Sequence, residues 1–222
     1  MRNTNLWAYF AAPLAGLAGA VAVASAPAHA GTAVIVDTGD PTQLNAGYSL
    51  LNANAIPGFG PQSIAARFVV DTELTITSIE GWVGRFGDGP STYHITLYED
   101  GPGPSYWTPG AQLYTIGLSD GGPGNGYIGT SDISWRVGPG AYWVGFEVLP
   151  GDTLFGFMPY FVPRPLQEAI GPPGAYFRAA GAPGSAFRIS GVIPEPGAWA
   201  LMIVGFGAAG AVLRARRRAA AV

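Results

Sequence analysis

Cysteine is absent from this 222-residue chain. That excludes disulfides, thiolate metal sites, cysteine nucleophiles and lipid attachment to sulfur, so an exported form must be held together by its core. Lysine is absent too. All eleven basic residues are arginine, which excludes Schiff-base and Ser–Lys chemistry. Histidine occurs twice, at His29 and His94. Charged residues make up 11% of the chain, against about 25% in an ordinary globular protein. Helical periodicity is scarce outside the two ends. No repeat recurs at a fixed period, which argues against a solenoid or a propeller.

Turn formers and aromatics are plentiful. There are 34 Gly, 20 Pro, 6 Trp, 10 Tyr and 11 Phe, too much packing material for a disordered chain. Charge is unevenly placed. Residues 31–193 hold thirteen acids against six arginines, a net charge of −7, while the last nine residues hold four arginines and no acid. The middle is therefore a poor ligand for nucleic acid or an anionic membrane.

Both ends read as signals. Residues 1–30 have the layout of a secretory signal peptide: Arg2, then an apolar Ala- and Gly-rich run from Leu6 to Ala24, then Pro27 and the small-x-small cleavage site Ala28-His29-Ala30. At the other end, Pro194-Glu195-Pro196 stops any preceding strand. Trp199 to Leu213 follows without a charge, and Arg214, Arg216, Arg217 and Arg218 close the segment. The expectation is a transmembrane helix. Its fifteen uncharged residues would span only about 22 Å of a roughly 30 Å hydrocarbon core, with Trp199 at one interface and snorkelling arginines at the other extending the reach. The arginines would stay cytoplasmic and the body would lie outside. Gly205-Phe206-Gly207-Ala208-Ala209-Gly210 spells a dinucleotide fingerprint, but no strand precedes it and no acid follows, so these glycines are read as helix-packing positions.

The order of these parts, Pro194-Glu195-Pro196-Gly197-Ala198-Trp199-Ala200, then Gly205-Phe206-Gly207, then the arginine cluster, resembles a PEP-CTERM sorting signal across residues 194–222. The resemblance implies a Gram-negative exporter that makes exopolysaccharide, with exosortase as processing partner. It also implies that Pro194, Glu195 and Pro196 are the recognition residues and that the tail holds the protein at the inner membrane until it is processed.

Between the signals, residues 31–193 read as one β-domain. Short runs alternate or are rich in β-branched and aromatic residues: Ala33 to Asp37, Ile64 to Val70, Leu74 to Val83, Tyr93 to Glu99, Leu113 to Leu118, Ile133 to Val137, Tyr142 to Val148, Leu154 to Phe157, Tyr176 to Ala179 and Phe187 to Val192. Gly- and Pro-rich clusters separate them. The pattern predicts an all-β, jelly-roll-like β-sandwich. Ile95-Thr96-Leu97-Tyr98-Glu99-Asp100, Leu113-Tyr114 and Gly140-Ala141-Tyr142-Trp143-Val144 also resemble lectin-like sandwich domains.

Chemistry is thin in this domain. His94 is its only histidine, on the strand face opposite Ile95 and Leu97, and reads as structural or solvated. There is no Ser-His-acid set and no G-x-S-x-G elbow. Paired carboxylates such as Asp71/Glu73 or Glu99/Asp100 leave a hydrolase formally open. No cofactor is expected. Calcium is the one ion with hard oxygen ligands on offer, at Asp37, Asp40 and Asp100. Tyr106-Trp107, in a Gly/Pro-rich loop, are candidates for a sugar platform, whereas Trp135 and Trp143 are expected in the core. The leading reading is a non-catalytic exported surface or matrix protein. The alternative is a carbohydrate-binding module in the exopolysaccharide layer, and a carboxylate hydrolase stands third.

Overall fold

The computed structural model describes residues 31–51, 60–87, 89–102, 108–121, 124–179, 184–193 and 196–220. Thirteen strands precede one helix: β1 (Thr32–Asp37), β2 (Gly47–Leu50), β3 (Ser63–Val70), β4 (Leu74–Arg85), β5 (Ser91–Asp100), β6 (Pro109–Asp120), β7 (Gly126–Thr130), β8 (Trp135–Val137), β9 (Gly140–Glu147), β10 (Gly156–Pro159), β11 (Gln167–Gly171), β12 (Phe177–Arg178), β13 (Phe187–Val192) and α1 (Pro196–Ala219). All strand pairs are antiparallel. One sheet runs β1-β13-β4-β10-β2, with β7 and β8 also on β4, and the other runs β12-β11-β3-β9-β5-β6.

Alternation places the apolar set of each sheet toward one shared core. Ile64, Phe68, Tyr93, Ile95, Leu97, Val144 and Phe146 come from the six-stranded sheet. Leu74, Ile76, Ile79, Val83, Phe187 and Ile189 come from the seven-stranded sheet. Phe146 bridges the two. Its ring stacks on Tyr93 at 6.0 Å and meets Phe187 edge-on at 5.6 Å. A Cβ at Gly81 on β4 would lie 2.8 Å from that ring, so glycine lets the sheets approach here. On β4 the buried positions shift phase between Ile76 and Ile79, where the pairing with β13 slips one residue at Ser190/Gly191. A bulge of this kind re-aims a strand without ending it.

The alternating runs appear as strands, including β1, β3, β4, β5, β9 and β13. Leu154 to Phe157 starts late, as β10 from Gly156. Three strands carry no alternating signal. GYSL (β2) is short, GYIGT (β7) is glycine-rich, and QEAIG (β11) has helix-like composition that its partner β3 overrides. Thr32 on β1 pairs with Val192 on β13. The start of β1 and the end of β13 therefore lie side by side.

Candidate functional site

The opposite face of the six-stranded sheet carries a second buried cluster of Ala65, Tyr98, Trp143 and Ala169, with Tyr176 packed against it. Trp143 was expected in the core with Trp135. Both are buried in core clusters, Trp135 in the one between the sheets and Trp143 in this second one, because Trp143 is out of phase with Val144 and Phe146 on β9. Three rungs cross β9, β5 and β6 on this face: Glu147–His94–Gly117, Gly145–Thr96–Thr115 and Trp143–Tyr98–Gln112. The last rung depends on a slip between Leu97/Tyr114 and Tyr98/Gln112. Without it, Leu113 would stand where Gln112 does.

Glu147 is 3% exposed and has three hydroxyl donors. Thr96 Oγ1 donates to its Oε2 at 2.6 Å, and Tyr98 OH donates to Oε1 at 2.5 Å. Tyr176 OH also donates to Oε1. Tyr176 lies in the connection after β11, which folds back over the sheet. A Cβ at Gly145 would lie 3.0 Å from its hydroxyl, so the small residue beneath admits the ring. Burial first, then the neighbouring Glu147, holds both tyrosine hydroxyls far above their ordinary range. They remain donors at any physiological pH. A buried carboxylate needs such donors, since desolvation without them is expensive.

At the far end of the sheet, the Arg67 guanidinium grips Asp100 with two hydrogen bonds of 3.0 and 2.7 Å, and Trp143 Nε1–H donates to the same carboxylate at 2.7 Å. The Arg67 bond, outweighing desolvation, holds Asp100 below the usual carboxylate range, and the Arg67 pKa is raised in turn. At the near end, His94 Nδ1 lies 2.9 Å from Asp152 Oδ2, which also accepts the Leu149 N–H at 2.8 Å. Between the ends lies a cavity of about 490 Å³ lined by His94, Tyr98, Gln112, Thr115, Glu147 and Gly174, among others. A wider one of about 680 Å³ borders β2 and β10, with Phe86, Phe157 and Tyr160 in its wall. Its arginine is already engaged: Arg85 Nε donates to Gly124 O, the Arg85 N–H donates to Asn125 Oδ1, and the guanidinium pairs with Asp120 at 3.0 Å.

The sequence-expected sites fare differently. Asp37 and Asp40 do come together, but around Arg188, which bonds Asp40 at 2.7 Å and approaches Asp37 at 3.8 Å. Asp100 sits on the other sheet with Arg67. Guanidinium groups occupy the places a calcium ion would take, and among the described residues no group of three or more His, Cys, Asp or Glu is placed to hold a metal. Glu73 pairs with Arg136. Tyr106, Trp107, Ala28, Ala30, Pro194 and Glu195 lie outside the described residues. His94 is not isolated: the turn after β9 brings it Asp152. Sequence reasoning passed over Glu147, Asp152 and Glu168. The available signal was an acid in a strand otherwise free of charge, as in Gly140–Glu147. Glu168 on β11 is buried with one carboxylate oxygen unpaired among the described residues, the other accepting the Ser185 N–H.

The tail forms α1, with Pro196 at its start, where a missing N–H costs nothing. Trp199 lies in its first turn. Arg214, Arg216, Arg217 and Arg218 project, exposed, near its end, where the helix dipole favours cations. The expected transmembrane helix needs correcting: among the described residues no helix is long and apolar enough to cross a membrane. The 24 residues of α1 extend about 36 Å, but arginines take the last turns, and glycine and alanine dilute the rest. The glycines of the GxGxxG string fall within this helix rather than at a strand–helix turn, so no dinucleotide site forms.

Residues 192–218 match the family model of the PEP-CTERM protein-sorting motif. No curated protein and no solved structure matches the chain. The chain thus carries a PEP-CTERM sorting motif that begins on the last residue of β13.

Proposed function

We propose that this is an exported surface protein, sorted by exosortase through its tail, with a non-catalytic lectin-like body of jelly-roll type. The observation that carries it is the sorting motif at residues 192–218, directly after the last strand of a folded domain. In this reading residues 1–30 direct export and are removed. The tail holds the protein at the inner membrane until exosortase processes it. Release to the surface or the extracellular matrix follows cleavage. The non-catalytic reading draws support from the engaged carboxylates: Asp100 is held by Arg67 and Trp143, and Glu147 by three hydroxyls.

Replacing Pro194, Glu195 and Pro196 with alanine tests the sorting. Membrane fractionation and tail-specific immunodetection should find the variant in the inner membrane with its tail intact. Unchanged release with tail loss would overturn the assignment. A second reading, a carbohydrate-binding module of the exopolysaccharide layer, is favoured by one observation, the polar cavity on the outer sheet face with free hydrogen-bonding groups. Trp107→Ala is the companion test for the loop platform: if the platform contributes, glycan binding falls.

A further inference from the structure

We infer that the outer-face cavity is an acceptor-lined site for an uncharged, hydroxyl-bearing ligand, a neutral glycosyl residue rather than an acidic one. The inference rests on the carbohydrate reading and gives it a place and a selectivity.

The direction of the hydrogen bonds carries it. Glu147 is acceptor-only, so every hydroxyl around it must donate inward. Thr96 spends its proton on Glu147 Oε2. Thr96 and Thr115 Oγ1 lie 3.0 Å apart, and Thr96 has no proton left for that bond, so Thr115 is its donor. The Thr115 oxygen is then left with lone pairs facing the cavity. The same logic applies to His94. Its Nδ1 is within hydrogen-bond distance of Asp152 Oδ2, a carboxylate oxygen that can only accept, so Nδ1 carries a proton, and in the uncharged ring Nε2 is then the acceptor. A Cβ at residue 117 would stand 3.0 Å from Nε2, and glycine there keeps that nitrogen open. Gln112, brought onto this face by the slip in β6, is exposed and has no hydrogen-bond partner among the described residues. It adds both a donor and an acceptor.

A wall of acceptors asks for a ligand rich in donors, and sugar hydroxyls are such donors. Charge removes the alternative. Among the described residues no arginine lines the cavity, Glu147 stands in its wall and Asp152 behind His94, and the domain as a whole is acidic. A carboxylate-bearing sugar would meet lone pairs and negative charge without a cation to receive it. The volume, about 490 Å³, suits one or two pyranose rings.

The test is saturation-transfer NMR and calorimetry on the full chain in mild detergent, against neutral methyl hexopyranosides, N-acetylhexosamines and hexuronates. Neutral sugars are expected to bind and hexuronates not. Gln112→Ala and Thr115→Val, both at exposed positions on an edge strand, should each weaken neutral-sugar binding about three- to tenfold, with an unchanged thermal melt for Gln112→Ala and only a small drop for Thr115→Val, which loses its bond to Thr96. Glu147→Gln, by turning donors outward, should weaken it further. Hexuronates binding as well as neutral sugars, or variants that bind as the wild type does, would overturn this site while leaving the carbohydrate reading intact. No binding by any of the sugars would overturn both.

Discussion

The two faces of the six-stranded sheet are buried alike but built differently. Toward the core, Tyr93, Ile95, Leu97, Val144 and Phe146 are at most 1% exposed and almost wholly apolar. On the other side, Thr96, Tyr98, Trp143 and Glu147 are at most 4% exposed, yet all but Trp143 join one hydrogen-bonded network around a carboxylate. The core face is stabilised by area removed from water and by close packing. The outer face gains little net stability from its bonds, since each only replaces one made to water. What it gains is fixed orientation. The hydroxyls of Thr96, Tyr98, Thr115 and Tyr176 each have one arrangement consistent with Glu147, which is what a binding surface requires and a core does not.

The largest effect should come from the core. Phe146→Ala removes the ring that joins both sheets and should cost about 4 kcal/mol, read as a lowered urea midpoint; a cost below about 1 kcal/mol would mean that the sheets do not share this core. Next comes Glu168, an acid buried on the core side of β11. Burial pushes the Glu168 carboxyl up from its ordinary 4.5 to about 7. Its folded-state pKa lies above the unfolded one, so the folded form is favoured by protonation. The penalty is absent below pH 4.5, grows as pH rises to about 7 and is constant above. Glu168→Gln should therefore stabilise the protein by up to about 3 kcal/mol at pH 8 and have little effect at pH 4. Equal effects at both would show that Glu168 titrates normally.

On the outer face, Glu147→Ala leaves three hydroxyls without their acceptor and should cost about 2 kcal/mol, while ligand-free Gln112→Ala should be neutral. A Glu147→Ala loss as large as that of Phe146→Ala would erase the distinction between the faces. A smaller loss than at Glu147 is expected at Arg67→Lys. Lysine keeps the charge but loses the fork on Asp100, and the partly exposed pair should weaken by about 1 kcal/mol. Because Asp100 is held low by Arg67, the wild-type contribution should fade as pH drops through its folded-state pKa, and pH-resolved denaturation of wild type and variant should converge in acid.

Much of this was legible in the residues. Alternation along Tyr93 to Glu99 and Tyr142 to Val148 assigned each side chain to a face before any coordinates, and β1, β3 and β13 followed from β-branched runs. The site was less legible for specific reasons. Glu147 and Thr96 are 51 residues apart in the chain and meet only because β5 pairs with β9. Asp152 reaches His94 across the turn at Pro150-Gly151, and that dipeptide marks the turn but not the strand it will face. Gln112 shares a face with Thr115 only because the strand slips, and period-2 reading of β6 would put Leu113 there instead. For the tail the balance reverses. Its motif is read in order along the chain and needs no tertiary contact, whereas the membrane-spanning expectation relied on Trp199 and snorkelling arginines to extend a short run and missed how far glycine, alanine and arginine dilute the helix.

What the linear chain determined by itself is everything local: β-strand alternation, the absence of thiol and amine chemistry, the acidic middle and the sorting motif, since each depends on near neighbours or on composition. Tertiary structure alone decided which acids are buried, which arginine answers which aspartate and which way each hydroxyl points. Those follow from strand register, and register is set by the packing of whole faces, which no short window of sequence contains.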